Sequence, residues 1–310
     1  MPVTIPDDLL DQRALGEDWG AWLDRLPRLA ADLLHEWHLA PTGPSRHGYC
    51  SLVVPVTDAD GVPGGLKVTF DGDDESRHEG LALQRWGGDG AVRLRRADPR
   101  RRALLLDWLP GPDLADAWDV EACEVVGGLY GRLHVPALPQ LASVASYVER
   151  WLRELDDLGR DIPVPRRYVE QALSLGRDLL ADAPDPVVVH GDLHYANVLA
   201  DDAGEWLAID PKPMAGDPHY EPAPMLWNRM DELTGPLAVG SLRDGLRRRF
   251  HALVDAGGLD EERARDWVVV RMVVNAGWTV QDARAAGRAL DADEQDWITR
   301  CIAITKAVQD

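Results

Sequence analysis

Leu109-Pro110-Gly111-Pro112 divides this 310-residue chain into two stretches of different character. Two prolines and a glycine in four residues end any regular element. Before them the hydrophobic pattern alternates as in strands, with two helical interruptions. After them it repeats at helical spacing almost to the end. The division predicts an N-terminal part over 1–108, a hinge at 109–112 and a mainly helical part over 113–310.

In the first part, residues 7–39 read as one amphipathic helix, with Trp22, Leu23, Leu26, Leu29 and Leu33 at helical spacing. Strand-like runs follow at Cys50–Val56 and Leu66–Phe70, then a helix over Glu75–Trp86 and strands at Ala91–Arg96 and Ala103–Trp108. Helices are expected over about 113–134, 143–158, 165–181 and from about 221 onward. One β segment interrupts them. Val187–Val189 leads into a polar loop, Asn197–Ala200 leaves it, and Trp206–Ile209 runs up to Asp210.

Bulk composition narrows the function classes. With 33 Lys+Arg against 53 Asp+Glu, the formal charge is −20, which repels nucleic-acid phosphates and suits either a cationic ligand or solubility alone. Cys50, Cys123 and Cys301 are few and dispersed, which suits a reducing compartment, here the cytoplasm. No basic head and apolar core of signal type opens the chain, and no run is long enough to span a membrane. A monomer is expected.

The chemistry concentrates in His190-Gly191-Asp192-Leu193-His194-Tyr195-Ala196-Asn197, with Asp210 after the next strands. Asp192 follows an apolar strand and a glycine, so it belongs on a loop at a strand end. Asn197 is five residues on, and Asp210 ends a second apolar strand. A carboxylate that accepts a hydroxyl proton, together with an amide oxygen and a carboxylate for magnesium, is what phosphoryl transfer requires. A turn or helix cap explains any one of these residues but not the set. Read instead as metal ligands, His190, Asp192 and His194 with Asp210 and His219 would suit a metallohydrolase. That reading gives no role to Lys67, Glu79 or Asn197.

This pattern resembles the catalytic and metal-binding loops of the aminoglycoside phosphotransferases. The run Trp206–Lys212 with Gly216-Asp217-Pro218 is similar to the streptomycin 6-kinase and hydroxyurea phosphotransferase branch. The resemblance implies an α+β, bilobal, protein-kinase-like fold: a small N-lobe with an antiparallel sheet and a helix, and a larger helical C-lobe. It implies Asp192 as the base, Asn197 and Asp210 as Mg2+ ligands, and His190 as a brace for the loop. Two residues depart from protein kinases. Gly191 stands where they have an arginine, and Pro211-Lys212 where they have Phe-Gly, as befits a kinase of small molecules without control by phosphorylation.

For the nucleotide, ATP or GTP, Lys67 lies within a strand and Glu79 is its natural partner in the next helix. Gly48 and Ser51 lie on the loop placed to cover phosphates, although only one glycine is present there and an ordinary turn reads equally well. By position, the backbone at Asp107 and Leu109 would edge the base. The expected reaction is ATP-dependent phosphorylation of a hydroxyl on a small cationic acceptor, streptomycin or a related aminoglycoside. Hydroxyurea or an amino sugar are the alternatives, and a catalytically silent nucleotide-binding module is a further one. Acceptor contacts are expected from acids and neighbours of the C-lobe: Asp217, Glu221, Trp227, Asn228 and Asp231.

Overall fold

The structure is a computed structural model, and it describes residues 3–159, 162–235 and 238–309. The chain divides into two units, 1–112 with 199–212, and 113–198 with 213–310.

The first unit is built on an antiparallel sheet. Strands β1 (Ala40–Pro41), β3 (Ser51–Thr57), β4 (Pro63–Thr69), β6 (Ala103–Asp107) and β5 (Leu94–Asp98) follow one another across it, and β2 (Arg46–His47) pairs with β3. The N-terminal helical stretch is not continuous. A short helix α1 (Asp7–Leu10) and a 3-10 turn (Asp11–Leu15) precede a break at Gly16, and α2 (Glu17–Glu36) follows. Leu23, Leu26, Ala30 and Leu33 of α2 pack on Leu52, Val54, Leu66 and Val68. Side chains alternate along a strand. Burial of Leu66 and Val68 under α2 therefore sends Lys67 to the opposite face of β4.

Helix α3 spans Glu79–Trp86 and starts later than the sequence pattern suggests. Asp73 is the reason. Its carboxylate accepts the Glu75 N–H at 3.1 Å and the Ser76 hydroxyl at 2.5 Å. A side chain that satisfies its own neighbourhood competes with helix formation. The segment Leu199–Lys212, expected in the helical part, belongs to the first unit. It carries most of the pair β9 (Val198–Ala200) and β10 (Trp206–Ala208).

The second unit is helical: α4 (Asp119–Leu133), α5 (Val144–Asp157), α6 (Arg166–Ala181), α7 (Ala223–Trp227), α8 (Leu242–Gly257), α9 (Glu261–Ala285) and α10 (Ala292–Ala307). Helix α9 buries Trp267, Val268, Val269, Val270, Met272, Val273 and Val274, so it is covered on nearly all sides and forms the centre of this unit. A small sheet sets β11 (Met214–Gly216) between β7 (Ala142–Ser143), parallel to it, and β8 (Val187–Val189), antiparallel. No helix among the described residues is long and apolar enough to cross a membrane.

Candidate active site

The expected functional residues fall into two sets, one in each unit. In the first unit, Lys67 is 4% exposed and all its short contacts are to carboxylates. Its Nζ donates to Glu79 Oε1 at 2.6 Å, Glu79 Oε2 at 2.8 Å and Asp210 Oδ1 at 2.6 Å. Burial alone would lower the Lys67 pKa, but Asp210 and Glu79 reverse this and keep the ammonium charged. Burial also raises the Glu79 pKa, with Asp210 adding to it against the pull of Lys67. Asp210 takes a left-handed backbone conformation with φ of 54°, uncommon for a residue other than glycine, and functional sites are where such strain collects.

The loop before β3 is a tight hairpin. Arg46 and His47 pair with Val53 and Leu52, and the Gly48 N–H donates to Ser51 O at 3.0 Å. A Cβ at position 48 would lie 3.1 Å from Ser51 Oγ and 3.9 Å from Asp210 Oδ2. Glycine there keeps open the space above the Asp210 carboxylate. Tyr49 at the tip packs edge-on against Trp19, which stacks on Phe70 at 4.1 Å, so α2 holds this loop in place. Asp107 ends β6, and its N–H donates to Arg93 O at 3.0 Å; Leu109 is buried beyond it.

In the second unit, β8 delivers His190 into a fully buried position, and Gly191 turns the chain with φ of 82°. A side chain would be strained at that angle. The Asp192 N–H donates to His190 Nδ1 at 3.3 Å, which ties the buried imidazole to the loop. The Asn197 amide nitrogen donates to Asp192 O at 2.9 Å, which turns the amide oxygen to the opposite side. Asp192 itself keeps about a third of its side chain exposed, and His194 Nε2 lies 3.9 Å from it.

Two side chains not anticipated in these roles clamp Gly191. The N–H groups of His190 and Gly191 both donate to the carboxylate of Glu221, the latter at 3.1 Å. From α9, Arg271 donates to Gly191 O at 3.1 Å and to Tyr220 O at 2.8 Å. Burial by itself would raise the Glu221 pKa, but His134 and the His190 N–H outweigh it and keep the carboxylate ionised. Tyr195 is held in turn. Its hydroxyl donates to Asp119 Oδ1 at 2.8 Å, and fully buried Arg249 donates to Asp119 Oδ2 at 2.9 Å.

These contacts correct two expectations about the acceptor. Glu221 is fully buried and engaged by the His190 and Gly191 N–H groups, so it does not face a ligand. Asp217 is saturated by Arg263 Nε at 2.6 Å, Trp267 Nε1 at 2.6 Å and His219 Nδ1 at 2.7 Å. Burial opposes its ionisation, yet the His219 and Trp267 hydrogen bonds bring its pKa down to about 2. Trp227 carries the Arg271 guanidinium over its ring at 5.1 Å, and Asn228 donates to Pro224 O at 2.9 Å. Asp231 is exposed and pairs with Arg300 at 2.9 Å. Among the described residues, no group of three His, Cys, Asp or Glu is arranged to hold a metal.

Comparison with known proteins decides the family. The family model described as "Aminoglycoside/hydroxyurea antibiotic resistance kinase" matches residues 36–283. The chain belongs to that family of antibiotic resistance kinases. It is 36% identical over 294 residues to a streptomycin 6-kinase of Streptomyces griseus, covering 92% of this chain and 93% of the relative. It is also 36% identical to a hydroxyurea phosphotransferase of Kitasatospora aureofaciens, covering 92% of this chain and 82% of the relative. Among solved structures, a spectinomycin phosphotransferase in complex with ADP and spectinomycin aligns with a TM-score of 0.54 at 13% identity, over 91% of this chain and 98% of that one. A macrolide 2'-phosphotransferase of Brachybacterium faecium aligns with a TM-score of 0.56 at 18% identity, over 89% and 97%. The fold of this resistance kinase is therefore α+β and protein-kinase-like, and the chain is a phosphotransferase.

Proposed function

We propose that this kinase transfers the γ-phosphoryl group of ATP to a hydroxyl of streptomycin or a closely related aminoglycoside, in the cytoplasm. The observation that carries the reading is the buried Lys67–Glu79–Asp210 cluster. A strand lysine tied to a helix glutamate and a strand-end aspartate is the arrangement that grips nucleotide phosphates. The streptomycin acceptor rests on the relatives, two of them streptomycin 6-kinases at 36% and 37% identity over 92% of this chain. The formal charge of −20 favours the approach of a cationic antibiotic.

In this reading Lys67 orients the α- and β-phosphates while Glu79 holds it in place. Asp192 accepts the acceptor's hydroxyl proton and aligns its oxygen for in-line attack, on a backbone that Glu221 and Arg271 fix. The Asn197 amide oxygen and the Asp210 carboxylate would hold magnesium, since both are hard oxygen donors. Bound magnesium would neutralise charge on the transferring phosphoryl group. Catalysis is then mostly positioning and electrostatics.

The test is an ADP-release assay over streptomycin, other aminoglycosides, hydroxyurea and amino sugars, with mass detection of the product. A streptomycin product heavier by one phosphoryl group is expected. Phosphorylation of hydroxyurea or an amino sugar with none of streptomycin would overturn the acceptor. Release of ADP with no acceptor at all would overturn the transfer.

A further inference from the structure

Lys67 does not have a proton to spare in this structure. An ammonium has three donors, and those of Lys67 meet three carboxylate oxygens within 2.8 Å. A second lysine in the same unit is placed differently. Lys212, two residues beyond Asp210, is mostly buried, with its side chain 17% exposed. Its contacts are long: 3.4 Å to Asp73 Oδ2 and 3.8 Å to Cys50 Sγ. The same Asp73 oxygen already accepts from Ser76 Oγ at 2.5 Å and Cys50 Sγ at 3.0 Å. Charge-assisted hydrogen bonds of good geometry are shorter than these. Around the two lysines stand three carboxylates, Glu79, Asp210 and Asp73, so neither ammonium is in excess.

We propose that Lys212 is a second phosphate ligand of this kinase, giving up Asp73 for an oxygen of the nucleotide's terminal phosphate. The inference rests on the phosphotransfer reading and deepens it. Lys212 extends from the strand end that carries Asp210, and it lies against Cys50, the neighbour of Ser51 on the hairpin that leaves space above Asp210. In the loosely held state Asp210 and Asp73 keep the charge compensated. With nucleotide bound, a terminal phosphate oxygen replaces a poor acceptor by a good one. Lys212 would then discriminate by phosphate number, while Lys67 would serve the inner phosphates only by giving up Asp210 or one Glu79 oxygen.

Calorimetric titration with magnesium and a non-hydrolysable ATP analogue, ADP or AMP, without acceptor, tests this. Lys212→Met should weaken the ATP analogue by about 10- to 100-fold, the equivalent of one charge-assisted hydrogen bond, and leave AMP within about threefold of the parent. Lys212→Arg should keep a preference for the ATP analogue over AMP. Asp73→Asn, which releases Lys212, should bind the ATP analogue at least as tightly as the parent. If Lys212→Met does not fold, the other two variants still decide. Equal weakening of all three nucleotides, or of none, would overturn the role, as would weaker binding of the ATP analogue by Asp73→Asn. A parent that shows no magnesium-dependent nucleotide binding would instead overturn the phosphotransfer reading itself.

Discussion

The sheet unit and the helical unit position their functional groups by different means. Around β4 the charged groups touch one another: Lys67 meets Glu79 and Asp210 directly, in a buried cluster. Around β8 the proposed base, Asp192, is positioned through its backbone. Glu221 takes the N–H groups before it, Arg271 takes the Gly191 carbonyl, and Asn197 takes its own carbonyl. The first arrangement fixes charge and the second fixes direction. A phosphate grip needs compensated charge in a low dielectric, whereas a base needs its carboxylate aimed and still accessible.

The contrast can be broken first at Lys67. Lys67→Met leaves Glu79 buried without its cation and should destabilise the fold by about 3–5 kcal/mol in denaturant titration. The double variant Lys67→Met/Glu79→Leu should recover much of that stability without recovering activity. Full additivity of the two changes would show that the pair is not coupled.

Smaller effects are expected where a backbone clamp is loosened. Glu221→Gln removes the charge and one acceptor from two buried N–H groups, a loss of about 1–3 kcal/mol. Its kcat should fall more than its nucleotide affinity, because the loop that carries Asp192 loses its direction. An equal loss in both would assign Glu221 to the fold alone.

Asp217 sharpens the comparison through pH. Its folded pKa, about 2, lies below the ordinary aspartate value of about 3.8. Its contribution is therefore present above pH 4 and is lost as pH falls through 4 toward 2. The difference corresponds to about 2 kcal/mol. Stability curves of the parent and Asp217→Asn should converge over that interval, and parallel curves would remove Asp217 from the pH dependence. Least of all should follow from Asp231→Ala, where an exposed pair with Arg300 is worth within about 0.5 kcal/mol. A rise in the acceptor KM with stability unchanged would support Asp231 as an acceptor contact.

The two regions also differ in how far the sequence reveals them. The Lys67–Glu79 pair is legible because both partners are charged, twelve residues apart, and placed on a strand and the next helix. The placement of Asp192, Asn197 and Asp210 beside short apolar strands is legible by spacing. The clamps are not. Glu221 and Arg271 bind backbone atoms of residues 30 and 80 positions away, and a backbone partner leaves no mark on residue type. Asp119 and Arg249 are 130 apart and signal nothing locally. The same reasoning explains why Asp217 and Glu221 read as ligands: an acidic residue looks the same in sequence whether solvent, antibiotic or the protein's own N–H groups surround it. In the fold, element types were legible, whereas the break at Gly16 and the late start of α3 depend on local competition for the backbone.

The division of labour is tested most directly by measuring magnesium-dependent ATP affinity and phosphoryl transfer on one preparation of Asp192→Ala. The account predicts transfer reduced by about 10²- to 10⁴-fold, with ATP affinity close to that of the parent. Turnover equal to the parent's would contradict it.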